Sequence, residues 1–169
     1  RTGGSQPYVT YFMIGSCVLV YLAQMLTPYM GSDLLTFFGA KVNSAIIGGQ
    51  YWRLLTPMWL HGSVLHLAFN MYALYIFGRT LERAYSSGRF LLLYILSGFA
   101  GNVISFMMSE RASVGSSTAI FGLIAAQGVF LFQNRKLIRN AQAMLMNTLA
   151  IAGINLVLGL SPGIDNWGH

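Results

Sequence analysis

Apolar positions run together along this chain instead of alternating with charges. Residues 9–26, 90–109, 112–133 and 141–160 hold no Asp, Glu, Lys or Arg, and neither does the stretch 54–78. A hydrocarbon layer of about 30 Å takes roughly 20 apolar residues in helical form. The pattern therefore predicts five membrane spans, the second in the later part of 54–78, followed by the opening of a sixth after Ser161-Pro162-Gly163. No cleavage site follows the first apolar run, so it reads as a retained span. No internal repeat or second domain interrupts the pattern. The expected architecture is all-α: a polytopic membrane helical bundle with a six-helix core whose sixth helix is cut short at His169. The whole of 1–169 reads as one domain that a longer protein would continue by about 15 or more apolar residues, the length that completes a span.

Composition sharpens this picture. Of the 169 residues, 55% are hydrophobic and 8% charged, against roughly 25% charged in a soluble domain. The net charge of +6 calls for no nucleic acid, because basic residues are the usual orienting charges of membrane-protein loops. Arg1, Arg79, Arg83, Arg89, Arg135, Lys136 and Arg139 fall on one side of the predicted bundle, and Lys41, Arg53 and Arg111 on the other. Seven against three puts the N-terminus in the cytoplasm. The connection 28–60 is long and carries Tyr29, Phe37, Phe38, Tyr51, Trp52 and Trp59, so it is expected to lie partly in the membrane plane. The single cysteine, Cys17, excludes an intramolecular disulfide.

With that orientation, spans two, four and six run from outside to inside. Their outer ends hold His61, His66 and Asn70, then Ser117, then His169. Polar groups inside a bilayer mark a functional site by default. His66 and Asn70, four residues apart, share a helix face. Taken singly, each has a plainer explanation: serine as a small packing residue, asparagine as interhelical glue, histidine as a structural donor. Their arrival from three segments at one depth favours function.

The stretch Gly115-Ser116-Ser117-Thr118-Ala119-Ile120-Phe121-Gly122 resembles the rhomboid active-site motif G-x-S-G-x-x-F-G. His66 and Asn70 resemble its H-x-x-x-N, with His61 as the preceding histidine. Trp52-Arg53, Gly78 with Glu82, and Asn166 with His169 resemble further family positions in the right order. The resemblance implies an intramembrane serine endopeptidase with a Ser–His dyad. Ser117 would be the nucleophile and His169 the base; the backbone of Ser117 and the side chains of His66 and Asn70 would donate to the oxyanion. It implies transmembrane proteins in a lipid bilayer as substrates, a multi-pass integral membrane location, a site opening towards the extracytoplasmic side, and neither cofactor nor metal. Thr118 stands where the family usually has Gly, which is expected to narrow substrate choice or to move an oxyanion donor. Ser116 and Glu82 are assigned structural roles, and Asp165 or Asn166 a cap on the sixth helix.

Competing chemistries lack their residues. A zinc protease would want H-E-x-x-H, and no glutamate separates His61 from His66. An aspartyl protease would need two acids within spans, whereas the acids are Asp33, Glu82, Glu110 and Asp165. A channel would spread polar residues along one path. The remaining alternative is a catalytically inactive rhomboid-like protein that binds transmembrane clients.

Overall fold

A computed structural model describes residues 6–29 and 31–159. Five long helices carry the apolar runs: α1 (Tyr8–Leu26), α4 (Val64–Tyr85), α5 (Ser87–Met108), α6 (Ser117–Gln133) and α7 (Ala141–Gly159). Two short helices, α2 (Leu34–Gly39) and α3 (Asn43–Ile47), fill the first long connection together with two 3-10 turns at Tyr51–Leu54 and Thr56–Trp59. The fold is a helical bundle, as the apolar pattern predicts. By length and composition α1 and α5 are able to cross a membrane; α6 and the described part of α7 are apolar but shorter.

Helix α6 packs against α4, α5 and α7, while α1 covers α4. Its closest neighbour is α5. A Cβ at Gly122 would run into the Ser97 side chain, so glycine is what permits that approach. Leu74, Phe77 and Leu81 of α4 meet Phe90 and Tyr94 of α5, Leu123 of α6, and Met13 and Cys17 of α1 in one core. The outward faces remain apolar: Phe12, Leu19, Phe69, Leu92 and Phe132 are all exposed. Apolar side chains directed both inward and outward are what a bundle surrounded by lipid requires.

Three boundaries differ from the sequence reading. Helix α4 runs past the uncharged stretch that ends at Gly78 and continues to Tyr85, so Arg79 and Arg83, counted with the connection after the second span, lie on its last turns. Helix α5 begins only two residues later, after Ser86 at φ 77°. The reason is Glu82. Its carboxylate is fully buried and accepts from the N–H groups of Val9 and Thr10 at 3.0 and 2.8 Å, from the Thr10 hydroxyl at 2.7 Å and from Ser87 at 2.6 Å. It thus caps the first turn of α1, where an anion is favoured, and the helix must extend far enough to deliver it. Helix α6 starts at Ser117, five residues after the apolar run begins at Ala112. Residues of the connection before it are held by other partners.

Candidate active site

Ser63 caps α4, its hydroxyl accepting from the N–H of His66 at 3.1 Å. This sets the helix register, so His66 and Asn70 follow on one face a single turn apart. Upstream, Gln24 near the end of α1 grips the backbone of His61 from both sides, donating to its carbonyl at 3.2 Å and accepting from its N–H at 3.1 Å. His61 is buried, and its ring stands edge-on to His66 with centroids 5.2 Å apart.

The nucleophile loop meets this pair at Gly115. Its φ of 129° lies where residues with a side chain are strained. A Cβ there would fall 2.8 Å from Cε1 and Nε2 of His66 and 3.5 Å from Nδ2 of Asn70. The Gly115 N–H donates to the carbonyl of Pro57 at 2.8 Å. Glycine therefore serves two needs at one residue: the backbone turns sharply and comes up against both side chains. Two residues on, Ser117 is the first residue of α6, half-buried at the positive end of its dipole.

Hydrogen bonds fix the protons. The Gly62 N–H reaches Nδ1 of His66 at 3.5 Å. A backbone N–H only donates, so Nδ1 is the bare nitrogen of the neutral ring and Nε2 carries the proton. That Nε2–H is the edge turned to Gly115. Asn70 is buried and its Nδ2 has no hydrogen-bond partner among the described residues. His61 is arranged the opposite way. Its Nδ1 faces the carbonyl of Trp59 at 3.3 Å, an acceptor, which leaves Nε2 to accept from the Ser116 hydroxyl at 3.5 Å. Burial, and then the neighbouring His66 ring, pushes the His61 imidazole down to about 4, while its contact with Trp59 works the other way. His61 is thus a neutral structural ring that braces Ser116.

The sequence reading named Ser117, His66, Asn70 and His169. The structure brings His66 and Asn70 to the loop that precedes Ser117. His169, with Asp165 and Asn166, lies outside the described residues. What the sequence reading missed is the outer connection's grip on this loop. Lys41 and Arg53 were counted as outward charges, yet both are buried. Arg53 donates to the carbonyls of Ala40 and Phe37 at 2.7 and 2.9 Å. The one hint in the sequence was their isolation: they are the only basic residues between Arg1 and Arg79.

The chain is 41% identical over 166 residues to "Rhomboid protease GluP" of Bacillus subtilis (strain 168), covering 97% of this chain and 32% of that protein. It is 41% identical over 146 residues to "RHOMBOID-like protein 7" of Arabidopsis thaliana, covering 84% of this chain and 47% of the relative. It is 37% identical, over the same length and share of this chain, to "RHOMBOID-like protein 6, mitochondrial" of the same plant, covering 48% of that protein. The chain thus spans about a third to a half of the length of these curated relatives. The Rhomboid domain model matches residues 48–169, the part that holds His61, His66, Asn70 and the serine motif. With that match over most of its length, the chain belongs to the rhomboid family.

Proposed function

We propose that this chain is the membrane core of an intramembrane serine endopeptidase that cuts transmembrane protein substrates. The observation that carries the reading is the pair of donors, Nε2 of His66 and Nδ2 of Asn70, turned on Gly115 two residues before Ser117. Amide hydrolysis needs a nucleophile, a base and donors placed where the carbonyl oxygen becomes an anion. In this reading the Ser117 hydroxyl attacks the scissile carbonyl while His169 takes its proton. The tetrahedral oxyanion is held by the backbone N–H of Ser117 and by His66 and Asn70. The C–N bond then breaks, and the proton on His169 passes to the departing amine. Water, activated by the same imidazole, cleaves the Ser117 ester and restores the hydroxyl.

The relative named a rhomboid protease supports this activity. The charge count supports a multi-pass chain with its N-terminus in the cytoplasm, which puts Ser117 nearer the outer surface. The test is cleavage of a single-span substrate by the intact protein in membranes. Ser117→Ala is expected to abolish cleavage with insertion unchanged, while Ser116→Ala retains substantial turnover. Undiminished cleavage by Ser117→Ala would remove the reading. An intact wild type that binds such substrates without cutting them would favour the inactive rhomboid-like alternative.

A further inference from the structure

Lys41 has none of its surface exposed. A buried ammonium is costly unless its donors are met. Here Nζ donates to the carbonyl of Ser109 at 2.6 Å and to that of Arg111 at 3.0 Å. Ser109 is the residue that closes α5. The last carbonyls of a helix have no partner within it and form the negative end of its dipole, so a cation is favoured there. The Lys41 backbone adds a second hold. Its N–H donates to the carbonyl of Ser113 at 3.0 Å, and its carbonyl accepts from the Ser113 N–H at 3.1 Å. Asn43 works at the same place, its Nδ2 donating to the carbonyls of Phe106 and Ser109 at 2.9 and 3.0 Å.

These contacts converge on the link between α5 and α6. Lys41 fixes it at residues 109, 111 and 113, and Pro57 holds it at Gly115. Only Ser116 then separates the held segment from Ser117. The outer connection therefore determines where α6 begins and at what height its first hydroxyl stands against His66 and Asn70. Substrate need not touch Lys41 for this to matter. A displacement of about 1 Å at the reacting group costs on the order of 10² in rate.

We propose that Lys41 is a positioning residue for Ser117, acting through the 109–115 link. The inference rests on the reading of Ser117 as nucleophile. The experiment compares intact wild type, Lys41→Met and Lys41→Arg in membranes, with kcat and KM measured per folded molecule on one single-span substrate. The folded fraction comes from the thermal unfolding transition. Lys41→Met keeps an unbranched stem and removes the donors. It is expected to lower kcat by about 10²-fold with KM within about twofold, because the loss falls on the reacting geometry and not on binding. Lys41→Arg, which keeps a cation and its donors, is expected to recover part of that loss. A merely structural lysine would lower the unfolding midpoint and leave kcat per folded molecule unchanged, and that result would overturn the proposal. Should Lys41→Met fail to fold, Asn43→Ala reads the same link: a smaller fall in kcat at constant KM supports the inference, and an unchanged kcat overturns it. A wild type that cleaves nothing would remove the functional reading and this inference with it. An active wild type matched by Lys41→Met would remove this inference alone.

Discussion

Helix α4 carries a polar cluster at each end, and the two are built on opposite principles. At its last turns Glu82 accepts four hydrogen bonds, two from backbone N–H groups of α1 and two from hydroxyls. At its first turns Asn70 holds a buried Nδ2 with no partner among the described residues, and His66 turns a protonated Nε2 to a glycine backbone. Glu82 and Asn70 are both buried and both lie on one helix, so burial alone does not separate anchor from site. Satisfaction does. A saturated group has spent its hydrogen-bonding capacity on the fold, whereas a buried donor left unmatched costs about 1–3 kcal/mol.

The largest effect should come from removing the unmatched donors. One oxyanion donor is worth about 10²–10³ in turnover. The double variant His66→Ala, Asn70→Ala is expected to lose at least that much kcat, with KM little altered and the unfolding midpoint held or raised. An intact kcat in the double variant would break the comparison at the site end.

Glu82 should behave in the reverse sense. Glu82→Ala strands the Val9 and Thr10 donors in the interior and is expected to cost on the order of 3 kcal/mol. The unfolding midpoint should fall while kcat per folded molecule is kept. A fall in kcat without a fall in stability would show that the saturated end also serves the chemistry.

The most gradual effect is a pH dependence. His61 is held neutral: its folded value is pushed down to about 4, whereas an unfolded histidine titrates near 6.5. Between these values the unfolded chain binds more protons, so this contribution to stability is present above about pH 6.5 and is lost as pH falls towards 4. Unfolding midpoints measured across that window should decline with acid, and His61→Asn should flatten the slope. A slope the substitution leaves unchanged would assign the decline elsewhere.

The bundle was legible in the sequence because long uncharged runs are a local signal, readable without knowing what they pack against. His66 and Asn70 were legible for a related reason: spacing by four on a helix fixes a shared face. Three features were not. The run beginning at Ala112 is apolar enough for helix, but Lys41 and Pro57 pin its first residues, and α6 waits until Ser117. The charges after Gly78 looked like a loop, yet Glu82 finds its donors 72 and 73 residues away and carries the helix onward. Lys41 looked like a surface charge because the carbonyls that receive it lie 68 and 70 residues ahead. Each failure comes from a partner distant in sequence, which no local period encodes. The serine motif, by contrast, carries its own reason: Gly115 must be glycine for its φ and for the room it leaves His66.

The central claim is that the unmatched donors at the start of α4 serve a nucleophile at Ser117. Treating the intact protein in membranes with a serine-directed fluorophosphonate, followed by peptide mapping, tests it most directly. The oxygen of a bound phosphonate takes the place of the oxyanion, so the predicted result is one adduct on Ser117 that fails to form in the His66→Ala, Asn70→Ala variant. An adduct on Ser116, or a Ser117 adduct that forms equally fast without those two side chains, would contradict the account.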